Sequence, residues 1–76
     1  MNWRDYIVSN PTVMFGKPVI EETRIPVDLI LEEMGNGESI ARLLESYPRV
    51  SEEHLCACLL FASDSIKNEI VYANAG

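Results

Sequence analysis

Six lysines and arginines and one histidine are all that this chain can offer to an anion or, with its two cysteines and twelve carboxylates, to a metal ion. Arg24 stands in the stretch over residues 16–26, G-K-P-V-I-E-E-T-R-I-P, which packs two prolines, a glycine and a short β-branched run around one arginine. A guanidinium is planar, permanently charged and able to grip a carboxylate through two parallel hydrogen bonds. Two uses are open to it. Arg24 can fold back on a carboxylate of its own chain such as Glu45, pinning one part of the domain to another, which is the expectation that needs fewer assumptions. Alternatively it can reach a carboxylate on another molecule, and Arg42 and Arg49 are the further candidates for such a contact. Lys17 can touch phosphate, although a lysine beside Gly16 is ordinarily a solvated loop residue.

His54 and Cys58 lie four apart and share a helix face, which is half of a zinc site. Two ligands do not make a site, and a core cysteine beside a histidine in a capping turn is the expectation. Asp28 and Glu32 form a like-charge pair at i, i+4, which a solvated acidic face explains without catalysis. There is no glycine-rich phosphate loop, no nucleophile elbow, and no Cys-His or Ser-His arrangement with a third orienting group. The residues point to no enzyme, no cofactor and no metal.

Twelve acidic against six basic residues give a formal net charge of −6. Neither part is basic when the chain is divided at Glu38, so any approach to a phosphate backbone starts against repulsion. Cys56 and Cys58 are turned about 200° apart on a helix and cannot pair with each other, so reduced thiols are expected. The apolar run over residues 55–62 is far short of the roughly 20 residues of a membrane span, and the start of the chain lacks the pattern of a signal peptide. The cytoplasm is the expected compartment. A chain of 76 residues that is 47% hydrophobic should fold as one domain, close to the lower size limit for a single core.

The elements that must position these side chains follow from their spacing. Residues 6–8 and 18–20 read as two short strands, joined by a turn at Ser9, Asn10, Pro11 and Thr12. Val13, Met14 and Phe15 are expected to return apolar side chains to the core. Pro26 suits the first position of a helix, after which Val27, Ile30, Leu31 and Met34 share one face. Gly35, Asn36 and Gly37 stop it. Ser39 caps a second helix with Ile40, Leu43, Leu44 and Tyr47 on its apolar face, ended by Pro48. Ser51 caps a third, whose stripe reads Leu55, Cys58, Leu59, Ala62 and Ile66, widened by Leu60 and Phe61 and continuing through Ile70 before fraying over residues 72–76.

The chain is thus expected to be mainly α: a β-ribbon arm over residues 1–25, then a three-helix bundle over 26–74 with the outline of a helix-turn-helix. A two-strand ribbon is marginal alone, and a third helix apolar nearly all round is covered on more than one side. A homodimer is the expectation, with Trp3, Leu60 and Phe61 as candidate contacts. For Trp3 a lid over the ribbon is the simpler expectation, and a place in the contact surface the alternative.

Four segments taken together carry a resemblance: I-V-S-N-P from Ile7, the G-K-P-V-I-E-E-T-R-I-P stretch, G-E-S-I from Gly37, and Tyr47-Pro48 followed by Ser51. They resemble the bacterial and archaeal family catalogued as domain of unknown function 433, whose signature is like G-K-P-x-I-x-G-T-R-I-P. The likeness runs from about Tyr6 to Ala62. Two departures stand out: Phe15 precedes a single Gly16 where the family often has two glycines, and Glu22 occupies the usual glycine before Thr23-Arg24. The resemblance implies a homeodomain-like helix-turn-helix fold and a frequent role as the antitoxin-like partner of a PIN-like nuclease toxin, whose carboxylate-rich site Arg24, Arg42 and Arg49 are candidates to enter.

Two classes of function remain: an acidic protein-interaction module of that antitoxin-like kind, and a DNA-binding regulator. A recognition helix delivers Arg, Lys, Asn or Gln to base edges from its first turns. None of these occurs between Ser51 and Ser63. Binding to DNA by the chain alone is therefore not expected.

Overall fold

A computed structural model describes residues 1–67. It is mainly helical, with three helices and one two-stranded antiparallel sheet near the N-terminus. The expected end of the third helix at Ile70, the fraying over 72–76 and the last residues of the 26–74 bundle lie outside the described residues.

The ribbon pairs β1 (Ile7–Val8) with β2 (Val19–Ile20) in the register Ile7 to Ile20 and Val8 to Val19. Its two rungs are extended by the signature stretch doubling back. The Ile20 N–H donates to the Ile25 carbonyl at 3.0 Å, the Val27 N–H donates to the Pro18 carbonyl at 3.0 Å, and Val19 bridges to Pro26. Pro26 is accordingly extended, with φ −68° and ψ 142°, and acts as the cap of α1 (Val27–Gly35) rather than as its first residue. Proline has no N–H to give the helix, so its place just ahead of it costs nothing.

Helix α1 buries Val27 and Ile30, with Leu31 and Met34 partly covered. Gly37, at φ 96°, takes the left-handed conformation that ends it, and the N–H groups of Gly37 and Glu38 return to the carbonyls of Met34 and Glu33. Helix α2 (Ile40–Ser46) starts where expected, the Arg42 N–H donating to the Ser39 hydroxyl at 3.2 Å. Helix α3 (Glu52–Lys67) is capped by a reciprocal pair: the His54 N–H donates to Ser51 Oγ at 3.4 Å, and the Ser51 N–H donates to His54 Nδ1 at 2.9 Å. No helix among the described residues is long and apolar enough to cross a membrane.

Ile7, Ile20, Val27, Ile30, Leu43, Val50, Leu55, Ala57 and Cys58 form one core cluster. Burying each large aliphatic among them contributes about 1.5–3 kcal/mol. Three expectations about burial fail. Phe15 is fully exposed and Met14 is 40% exposed, because both residues take positive φ, 57° at Phe15 and 50° at Met14, in the short 3-10 turn Met14–Gly16, which carries the chain outward. Ile40 is half-exposed at the first position of a seven-residue helix. Leu59 and Ile66 are 53% and 64% exposed: the buried stripe of α3 runs instead through His54, Leu55, Ala57, Cys58, Phe61 and Asp64, leaving a second apolar face in solvent.

Candidate functional site

The signature stretch is mostly architecture, and its side chains can be assigned one by one. The Thr23 hydroxyl donates to the Ile20 carbonyl at 2.6 Å and accepts the Ile25 N–H at 3.0 Å, closing the turn between β2 and the Pro26 rung. Glu22 stands in that turn with φ 58°, a conformation suited to glycine. Lys17 reaches across to Asp28 in the first turn of α1 at 3.2 Å, an exposed pair worth about 0–1 kcal/mol. Ile20 and Val19 fill the core. Arg24 does none of these things. It is exposed, and the expected pair with Glu45 is absent: the ion pairs among the described residues are Lys17 with Asp28 and Arg42 with Glu38. The turn that Thr23 locks holds Arg24 on the outer side of the ribbon, which the sequence alone does not reveal.

Arg24 lines an open cleft of about 500 Å³ together with Arg49, which arrives from the connection between α2 and α3. That connection is a tight turn with Pro48 and Arg49 at its centre, closed by the Val50 N–H donating to the Tyr47 carbonyl at 2.9 Å. Val50, buried next to it, anchors Arg49 to the core; its importance has no sequence signal beyond one apolar residue in a loop. The apolar side of the cleft is made by Val8, Val13 and Val19, the polar side by Asn10, Glu22 and Thr23. Two guanidinium groups 25 positions apart in sequence thus share one concavity over an apolar floor. The cleft presents two cations and one carboxylate, Glu22, around that apolar floor.

Arg42 lies elsewhere. It pairs with Glu38 at 4.0 Å beside a smaller hollow of about 300 Å³ that also presents Glu33, Asn36 and Ser46. The Tyr47 hydroxyl donates to Glu33 at 2.9 Å, joining the end of α2 to α1, and this bond, with burial, raises the phenol above its ordinary range. The first turn of α3 is acidic, and the Glu53 carboxyl is held below its usual range by its own backbone N–H and by Ser51.

His54 Nδ1 is engaged by Ser51, and its ring meets Tyr6 edge-on at 5.6 Å. No group of three His, Cys, Asp or Glu side chains able to hold a metal gathers among the described residues. Burial pushes the Cys58 thiol up to about 11, whereas Cys56 is exposed. Of the three residues expected at a dimer contact, Trp3 and Phe61 pack on each other with centroids 5.0 Å apart and planes at 88°, and Leu60 is 41% exposed beside them.

Comparison with known proteins adds a family without an assigned role. The family described as Protein of unknown function (DUF433) matches residues 7–62. The chain is 30% identical over 59 residues to the uncharacterized protein y4eO of Sinorhizobium fredii, covering 78% of this chain and 27% of that protein. It therefore spans about a quarter of the length of that curated relative. No solved structure matches it.

Proposed function

The chain belongs to the DUF433 family, and from that premise we propose that it is a non-enzymatic protein-interaction module whose docking site is the cleft between Arg24 and Arg49. The observation carrying this reading is that both arginines are exposed on one cleft and neither joins an ion pair among the described residues. In a chain with net charge −6, two cations held over an apolar floor select a partner that brings carboxylates. The resemblance to this family, which implies a frequent antitoxin-like role, suggests the class: a PIN-like nuclease toxin, whose metal-binding site is rich in carboxylates. Bidentate pairing there would occlude that site, and the acidic remainder of the chain speeds encounter with a basic partner.

The alternative is a DNA-binding regulator, favoured by the short connection over residues 47–51 between α2 and α3, which has the outline of a helix-turn-helix. The side chains speak against it. Glu52 and Glu53 occupy the exposed first turn of α3, where a recognition helix presents donors to base edges.

Co-expression with the neighbouring open reading frame, followed by pull-down, tests the proposal. The neighbour is expected to co-purify, and Arg24→Ala and Arg49→Ala should each weaken the complex about tenfold or more with the melting temperature unchanged. If the neighbour neither co-purifies nor is toxic without this chain, the antitoxin-like reading fails. A lowered melting temperature for Arg24→Ala would make that arginine part of the scaffold.

A further inference from the structure

The solvent face of α3 is apolar where a helix of a small acidic protein should be charged. Leu59 and Ile66 are more than half exposed, Leu60 is 41% exposed, and Cys56 is exposed. At 100° per residue, Glu52, Cys56, Leu59, Leu60, Ser63, Ile66 and Lys67 share an arc of about 120°. The rest of the circumference holds Ala57, Cys58 and Phe61 against the core on the far side, with the buried Leu55 at the edge next to Ile66. Charge is unevenly placed along the exposed face: Glu52 at its N-terminal end, with Glu53 just beside it, and Lys67 at its C-terminal end.

This arrangement is complementary to itself when reversed. Two copies of α3 laid antiparallel about a two-fold axis at Leu59 and Leu60 bring Glu52 of one copy opposite Lys67 of the other, and Cys56 opposite Ser63. Leu59 then faces Leu60 at the centre. Both charge pairs are of opposite sign, the helix dipoles oppose, and the small Cys and Ser side chains allow the helices to approach closely. A parallel pairing would instead set Glu52 against Glu52 and Lys67 against Lys67.

We propose that the exposed face of α3 is a self-association surface on which a second copy of this chain docks antiparallel, centred on Leu59 and Leu60. This surface lies on a different element from the Arg24 and Arg49 cleft and stands whether or not that cleft takes the partner proposed above.

Sedimentation velocity of the full chain and a cysteine cross-link test the inference together. The wild-type chain is expected to sediment as a dimer at high micromolar concentration. Replacing both Leu59 and Leu60 by Glu should raise the dimer dissociation constant about a hundredfold or more with the fold intact by circular dichroism, since both side chains are exposed. Oxidation of a Ser63→Cys variant should give a disulfide-linked dimer whose linked peptides join Cys56 to the introduced cysteine. In the wild type, the two Cys56 residues would lie about 10 Å apart along the axis, beyond disulfide reach, and should not link. A monomeric wild type, a dimer indifferent to the double substitution, or ready linkage of Cys56 to Cys56 would each overturn the proposal.

Discussion

The Trp3 indole N–H donates to the Asp64 carboxylate at 2.6 Å across 61 positions of sequence. This bond fastens the 3-10 turn Trp3–Asp5 to the last turns of α3, with Phe61 against the ring and the Arg4 guanidinium 4.4 Å from its centroid on another side. Asp64→Ala should cost about 1–2 kcal/mol, near the low end for a bond to a charged acceptor because this one is only part-buried, and Asp64→Asn less. Thermal melts followed by circular dichroism check both, the alanine variant melting roughly 5–10 °C lower for a domain of this size.

Glu22→Gly should stabilise the protein. A side chain in the left-handed region costs about 1–2 kcal/mol, while glycine loses more chain entropy on folding, so a net gain of about 0.5–1 kcal/mol is expected. The φ of 58° at Glu22 requires this direction. Urea titration should show a raised midpoint with unchanged slope; Glu22→Val, β-branched in the same conformation, should shift it the other way.

Thr23→Val keeps the shape of the side chain and removes its hydroxyl, which both donates and accepts in the turn. A loss of about 1–2 kcal/mol is expected. Hydrogen exchange should localise it, with the Ile25 amide losing protection well before the amides of α1.

The cysteines should separate by reactivity and by pH. Cys56 is exposed and should react with an aromatic disulfide reagent in the native state, whereas Cys58 should react only after unfolding. The folded pKa of Cys58, about 11, lies above the ordinary value near 9. The unfolded chain therefore releases this proton first as pH rises, and the associated stability is fully present below about pH 9 and lost between about pH 9 and 11. Cys58→Ala should abolish the part of the alkaline decline that begins near pH 9. Tyr47, also raised, contributes a further part that begins higher, above its ordinary value of 10.

Local chemistry made much of the fold legible. Ser39 and Ser51 cap because short hydroxyl side chains satisfy amides a helix leaves open, Gly37 terminates because it tolerates positive φ, and the two strands were visible as β-branched runs around turn residues. Glu22 stands out in the sequence only as a departure from the glycine of the family signature; the strain it carries is a property of its left-handed backbone. What stayed hidden depends on contacts distant in sequence. Nothing in Trp3 announces Asp64 or Phe61, and nothing in Arg24 announces Arg49, since each pair meets only after the ribbon has docked on the bundle. Phe15 misled because apolar character predicts burial, whereas the left-handed backbone at Met14 and Phe15 decides which way the side chain faces. Leu59 misled for a related reason: α3 has enough apolar residues for two stripes, and periodicity alone does not choose between them.

Trp3 is the only tryptophan in the chain, so its emission is an optical gauge already built into the protein. With its N–H on a carboxylate, one ring edge against Phe61 and a guanidinium close by, the indole senses whether the first turn is seated on α3. Release of that turn should shift the fluorescence toward longer wavelength while the helical ellipticity persists. Superposable fluorescence and ellipticity transitions would mean that the N-terminal turn and the helices melt as one cooperative unit, whereas an earlier optical transition would reveal that the turn detaches first.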